Sequence, residues 1–167
     1  MRKLKLPRER SLNSFVFGMK ISPAEVQKLR EACGAGVMDA KKALEEAGGD
    51  FDRALGIIKE KGLARVAKRA DRETGAGLIY SYVHAERIGV ILDLRAETDF
   101  VVNSDPFRDL ARELAMQIAA NGPENVDALL EQPYIRDEKR TVKSLLEDVV
   151  AKVGENVRVN KFYRLEI

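Results

Sequence analysis

The spacing of apolar residues changes once along this chain, and that change restricts the folds open to it. In residues 21–60 apolar side chains recur at helical spacing, as on one face of an amphipathic helix. From residue 77 two runs alternate instead, "GLIYSYVH" and "RIGVILDLRAE", as half-buried strands do. The pattern predicts an α+β protein, in which three helices precede an antiparallel sheet with helices packed on one face.

The helical part carries clear start and stop signals. In "SPAEVQKLREACGAG", Ser22 is placed to cap a helix and Glu25 completes a capping box, while the glycines end the helix. A second helix is predicted over residues 37–47, and a third, of about ten residues, begins after Asp50. The predicted inner face of the second helix consists of Val37, Ala40, Ala43, Leu44 and Ala47. Short helices joined by glycine turns are typical of a recognition module.

The chain is predicted to divide into four segments. These are a flexible basic leader (1–20), the three-helix module (21–60), a connecting helix and linker (61–76) and an α+β core (77–167). The leader is open to three interpretations: a disordered arm preceding a start at Met19, a transit peptide, or an anion-binding arm. The connecting segment is basic, but without interleaved aromatics it favours a solvated face over a nucleic-acid patch.

The core is predicted to contain a hairpin, two helices and a terminal strand. His84 falls at the short "AE" turn of the hairpin, which favours a turn residue over a base or a metal ligand. The helix "DPFRDLARELAMQIAANGP" has one apolar stripe, a loop follows through "EQPYIRDEKR", and a second amphipathic helix begins at Val142. The terminal strand "VRVNKFYRLEI" is predicted to present one alternating face, formed by Val157, Val159, Tyr163, Leu165 and Ile167.

Composition excludes several kinds of chemistry. With 29 basic and 27 acidic residues, the charge is too balanced to favour direct nucleic-acid binding. A single cysteine, Cys33, excludes a disulfide framework and favours a reducing compartment. With only one histidine besides, the chain lacks the residues for a His/Cys zinc site, and the residues do not form a Ser/His/Asp triad. No apolar run approaches the roughly 20 residues of a membrane span. The sequence therefore predicts no cofactor and no bound metal, and it favours a binding protein without catalytic residues.

Three carboxylates near the end of the hairpin remain as candidates for acid/base chemistry. Asp93, Glu97 and Asp99 are interpreted as an outward strand residue, a solvated edge residue and an acid at a helix start. The competing hypothesis of a small enzyme requires them to share a pocket in which their pKa values are perturbed.

Phe100 stands where the apolar pattern has just ended, directly behind two carboxylates and a threonine in "ETDFV". The residues alone leave two interpretations open. The ring packs onto the edge of its own domain, or it is exposed as an aromatic anchor for another protein.

Four blocks of this chain resemble the elongation factor Ts family. "LREACGAGVMDAKKALEEAGGD" (29–50) is similar to the N-terminal signature of that family, which forms a ubiquitin-associated-like three-helix module. "ETDFV" (97–101) is similar to its T-D-F-V segment, and "QPYIRDEKRTV" (132–142) and "VGENVRVNKFYRLE" (153–166) to its C-terminal blocks. The resemblance implies a cytoplasmic translation factor that makes no covalent bond and promotes guanine-nucleotide exchange on elongation factor Tu.

The resemblance also implies roles for particular residues. Phe100 would insert between helices of the GTPase domain of elongation factor Tu and disturb its phosphate loop and magnesium site. The magnesium-displacing element would consist of Thr98, Asp99, Phe100 and Val101. Arg30, Val37 and Met38 would touch another helix of the same GTPase domain, although Val37 departs from the methionine common at its position.

Two departures from the family bear on assembly. The long helical segment of many members is replaced here by "NGPENVDALLE", and the core is present in a single copy. Short members pair two subunits, so the resemblance implies a homodimer, with the terminal strand around Val159, Tyr163 and Leu165 as a candidate edge. The alternative hypothesis is an interaction module that recognises another partner through its helical bundle.

Overall fold

The computed structural model describes residues 21–167, so the predicted leader and the proposed start at Met19 lie outside the described residues. The chain divides into two compact units between Ile58 and Lys59. Across residues 21–167, every helix is too short or too polar to span a bilayer.

The first unit contains the three predicted helices, α1 (Pro23–Cys33), α2 (Val37–Ala47) and the first part of α3 (Phe51–Arg69). The capping box is confirmed: Glu25 N–H donates to Ser22 Oγ at 3.2 Å, and Ser22 N–H donates to Glu25 Oε2 at 2.7 Å. The core of the unit is formed by side chains from all three helices, namely Val26, Leu29, Ala40, Ala43, Leu44, Ala47 and Ala54.

Two details of these helices differ from the prediction. Val37 is 51% exposed, because it occupies the first position of α2 and its side chain lies outside the stripe that packs on α1. The third helix was predicted to have about ten residues and to be followed by a separate connecting helix within 61–76, but the two form one continuous helix, α3, of 19 residues. No proline interrupts it after Ile58, and Val66 packs against the core of the second unit, which supports the added turns.

The second unit is an α+β domain, which confirms the predicted fold class. After the end of α3 its elements are β1 (Ala76–His84), β2 (Ile88–Ala96), α4 (Asp99–Val102), α5 (Asp105–Asn121), α6 (Val126–Glu131), β3 (Pro133–Tyr134), β4 (Asp137–Thr141), α7 (Val142–Val153) and β5 (Val157–Glu166). The main sheet is antiparallel with the order β1-β2-β5, so β2 is central and two edges remain. The predicted stripe of α5 is fully buried and shares a core with the inner face of β2, and this core includes Val90, Leu92, Leu94, Phe107, Leu110, Ala111, Leu114 and Ile118.

The hairpin between β1 and β2 closes through a turn of unusual composition. Arg87 N–H donates to His84 O at 3.0 Å, and the two central residues, Ala85 and Glu86, have φ values of 48° and 59°. Positive φ at both central positions identifies a mirror-image turn, whose twist matches that of the strands but which favours Asn-Gly. His84 lies at this turn, as predicted, and its Nδ1 is 3.0 Å from Tyr82 Oη.

A β-bulge corrects the predicted face of β5. Asp93 pairs with Lys161 and Leu94 with Val159, so Asn160 is an extra residue in the ladder. An extra residue moves all later side chains of a strand to the opposite face. Val159 therefore faces the core at 7% exposure, whereas Tyr163 is 66% exposed.

The predicted loop through "EQPYIRDEKR" contains the small β3–β4 hairpin, and the short helix α6 precedes it. The buried side chain of Gln117 secures the hairpin, since its Nε2 donates to Pro133 O at 3.1 Å and its Oε1 accepts from Ile135 N–H at 2.9 Å. These bonds join residues distant in sequence, which explains why local patterns indicated only a loop.

Candidate protein-interaction site

The helical turn α4 carries the residue that the sequence left unexplained. Thr98 caps the turn, and its Oγ1 accepts a hydrogen bond from Val101 N–H at 3.5 Å. Phe100 is 87% exposed, whereas Val101 is only 3% exposed and belongs to the domain core. The ring of Phe100 therefore projects away from the domain instead of packing onto its edge.

Hydrogen bonds from the two residues that follow α4 secure the C-terminal end of this turn. Ser104 Oγ donates to Val101 O at 2.7 Å, and Asn103 Nδ2 donates to Asp99 O at 2.9 Å. Together with the burial of Val101 and Val102, these bonds hold the backbone that carries the aromatic ring. An aromatic side chain held in this way binds a partner with little loss of conformational entropy, as interface anchors do.

The side chain of Asp99 is exposed next to Phe100 in the first turn of α4, where a negative charge is favoured by the helix dipole. The backbone carbonyl of Asp99 accepts a hydrogen bond from Asn103 Nδ2. The turn therefore presents one large apolar group together with one carboxylate.

The three candidate carboxylates have separate surroundings. Asp93 lies on the outer face of the sheet but is 3% exposed, since Arg95 and Asn160 both bond to it. The hydrogen bond from Arg95 lowers the pKa of Asp93 more than burial raises it. The ionised carboxylate is therefore favoured, and a carboxylate without a proton cannot act as a proton donor. The predicted solvated position of Glu97 is wrong, because its carboxylate accepts a hydrogen bond from Asn156 N–H and pairs with Arg72.

The structure describes no metal cluster either: within residues 21–167, no three His, Cys, Asp or Glu side chains are grouped so as to hold an ion. Asp93 and Glu97 are each paired with an arginine and Asp99 is exposed, an arrangement that favours structural roles over acid/base chemistry.

The other three predicted contact residues lie around the connection between α1 and α2. Val37 and Met38 are 51% and 61% exposed at the start of α2. Arg30 is exposed near the end of α1, and its Nε donates to Ala35 O at 3.3 Å, which fixes the side chain across the connection. This surface combines a cation with two adjacent apolar groups.

Sequence reasoning missed most of a further apolar surface, on the face of the main sheet opposite the core. This outer sheet face is formed by the exposed residues Ile79, Val83, Ile91, Tyr163 and Leu165. The signal was present in "GLIYSYVH", where apolar residues occupy both alternating sets, a pattern typical of strands covered on both faces.

Comparisons with known proteins agree with this architecture. The family model described as Elongation factor TS matches residues 97–167. Proteins named Elongation factor Ts are similar over 89% of this chain: that of Thermodesulfovibrio yellowstonii is 37% identical and is covered over 97% of its length. The one from Nitratidesulfovibrio vulgaris is 38% identical and covered over 98%, and the one from Fervidobacterium nodosum is 40% identical and covered over 99%.

These matches, to a chain with an α+β domain preceded by a helical module, identify the protein as a translation elongation factor. The chain belongs to the elongation factor Ts family. The aligned regions extend over 193 and 195 positions, more than the 167 residues of this chain, so these relatives carry residues without a counterpart here.

Proposed function

We propose that this protein binds elongation factor Tu in its GDP-bound form and promotes release of the GDP. The observation that carries the proposal is the exposure of Phe100 on a secured helical turn, within a segment that resembles the T-D-F-V element of the family. In this proposal Phe100 enters a cleft between helices of the GTPase domain. Thr98 and Val101 hold the turn, and the carboxylate of Asp99 lies beside the ring.

The mechanism requires differential binding and no covalent step. A protein accelerates nucleotide release only if it binds the nucleotide-free partner more tightly than the nucleotide-bound one, and nucleotide must weaken its binding reciprocally. A thousandfold acceleration corresponds to a barrier lower by roughly 4 kcal/mol. Burial of a phenylalanine supplies roughly 1.5–3 kcal/mol. The rest would come from magnesium and phosphate contacts that the nucleotide loses as the wedge enters.

A second contact is proposed through Arg30, Val37 and Met38. The flexible thioether of Met38 adapts to irregular apolar surfaces, and Val37 beside it offers a smaller and stiffer group. This contact would hold the partner while the turn acts on the nucleotide site. Its loss should weaken binding, with a smaller effect on the rate of release from the bound complex.

The test is stopped-flow release of a fluorescent GDP analogue from elongation factor Tu at increasing concentrations of this protein. We expect acceleration that saturates as the binary complex fills with the factor. The alternative, an interaction module that recognises another partner through its helices, predicts an unchanged rate of release at every concentration.

We also propose that the protein is a homodimer, in which a second copy covers the outer sheet face. Five large apolar side chains are exposed together there, a composition that favours coverage by another protein surface. Tyr163 and Leu165 of β5 contribute to this face, whereas Val159 faces the core and takes no part. β5 is an edge strand, as the hypothesis of edge pairing requires, but the exposed apolar side chains favour a face-to-face contact around the same strand.

A further inference from the structure

The segment that carries Phe100 is joined by three hydrogen bonds, through two carboxylates, to a loop more than fifty residues later in the chain. Glu155 Oε2 accepts from Thr98 N–H at 3.0 Å, and Glu155 Oε1 accepts from the Thr98 hydroxyl at 2.8 Å. In the opposite sense, Glu97 Oε1 accepts from Asn156 N–H at 2.6 Å. Residues 97 and 98 therefore bond to residues 155 and 156, an arrangement that we call the 97–98/155–156 clasp.

The clasp is built into the fold on both sides. Gly154 ends α7 with φ 79°, a left-handed conformation that turns the chain directly into Glu155. Asn156 is 7% exposed, and its Nδ2 donates to Ala70 O at 3.1 Å and to Arg72 O at 2.9 Å. The loop that holds Thr98 is thus itself held against the segment that follows α3.

Thr98 has a double role within the clasp. Its hydroxyl oxygen accepts from Val101 N–H and so starts the helical turn, while its hydroxyl hydrogen goes to Glu155. A charged acceptor strengthens that donor bond and leaves the hydroxyl lone pairs free for Val101 N–H. Glu155 therefore helps to fix the position of the cap at the start of the turn, while the burial of Val101 holds the residues that follow.

We infer that Glu155 is a positioning residue for nucleotide exchange: it holds the Thr98 cap so that the ring of Phe100 points at the partner. The inference rests on the proposed function and adds a residue that acts through its hydrogen bonds to Thr98. Without the clasp, Phe100 would sample other orientations, and only a fraction of binding events would place the ring in the cleft.

The experiment compares Glu155→Ala and Glu155→Gln in stopped-flow release of GDP from elongation factor Tu. A hydrogen bond to a charged group is stronger than one between neutral groups. If the barrier to release rises by a comparable free energy, the rate falls about tenfold or more, and we expect that reduction of the saturating rate for Glu155→Ala. Glu155→Gln retains one acceptor oxygen, so its saturating rate of release should lie between those of the native protein and Glu155→Ala. Glu124→Ala is the matched control, since it removes an exposed carboxylate of the same domain, and it should leave release unchanged.

A double-mutant cycle separates positioning from a general structural role. Phe100→Leu keeps part of the wedge, and in that background Glu155→Ala should reduce release far less than in the native background. Equal reductions in both backgrounds would overturn the inference, as would an unchanged saturating rate in Glu155→Ala alone. If Phe100→Leu and Phe100→Ala themselves leave release unchanged, the proposed function fails instead, so the two failures are distinguishable.

Discussion

Phe100 and Val101 are neighbours in one helical turn, yet the first side chain is 87% exposed and the second only 3%. Val101 lies in the core with the strands and α5, and this burial fixes the backbone from which the aromatic ring projects. A turn of this kind separates stability from recognition, because adjacent residues serve different surfaces. The two side chains can therefore be tested against each other.

Phe100→Ala should nearly abolish accelerated GDP release from elongation factor Tu, because it removes the proposed wedge. Since the ring contributes little to the core, the free energy of unfolding should change by less than about 0.5 kcal/mol. Val101→Ala is the matched control, and the loss of two buried methyl groups should lower the free energy of unfolding by about 1.5 kcal/mol. Stopped-flow release and urea denaturation of both variants check the pair. Unchanged release in Phe100→Ala would show that the wedge hypothesis is wrong.

Replacement of the hairpin turn should stabilise the protein. Ala85 and Glu86 both adopt positive φ, which costs roughly 1–2 kcal/mol per non-glycine residue and less for asparagine. The double change Ala85→Asn and Glu86→Gly suits this turn and should raise the free energy of unfolding by about 1 kcal/mol. Thermal and urea unfolding measure the gain. The reversed order, Ala85→Gly with Glu86→Asn, should give a smaller increase in the free energy of unfolding.

Asp93 should make stability depend on pH at the acid end. Its pKa is lowered in the folded state, mainly by the hydrogen bond from Arg95, so the stabilisation is present above the ordinary carboxyl pKa of 3.8. It is lost as the pH falls through that value towards the lower folded pKa. The difference in unfolding free energy between native protein and Asp93→Asn should be constant near neutral pH and shrink below about pH 4.

The exposed pair Arg112–Asp109 supplies the control for that measurement. Both side chains are more than half exposed, so Asp109→Asn should change stability by less than about 1 kcal/mol at any pH. A pH profile for Asp93→Asn parallel to that of the native protein down to pH 3 would contradict the assigned contribution of Asp93.

Charged residues on the outer sheet face should dissociate the proposed homodimer. Light scattering at micromolar concentration should give twice 18.7 kDa for the native protein and 18.7 kDa for the double variant Tyr163→Asp, Leu165→Asp. Burying two carboxylates in an apolar interface is strongly unfavourable. Lys143→Asp, an exposed site at the start of α7, should remain dimeric. A native protein that scatters as a single chain would refute the homodimer.

Local signals predicted much of this fold correctly. The Ser22–Glu25 capping box, the apolar stripe of α5 and the alternating strands of the hairpin depend on residues only a few positions apart. For such features, side-chain spacing and backbone preference act together, so a single sequence suffices. The sequence predicted a third helix and a connecting helix separately, and their continuity in α3 was missed because this segment is only weakly amphipathic.

The sequence by itself determined the composition of the site, a phenylalanine placed after an apolar strand and between a threonine cap and buried valines. Only the tertiary structure decided which way the ring and the terminal strand face. The bulge at Asn160 inverts Tyr163 relative to Val159, and Glu155 reaches Thr98 across a large separation in sequence. Both depend on hydrogen bonds between segments that meet only after the chain has folded, and no periodicity in the sequence records them.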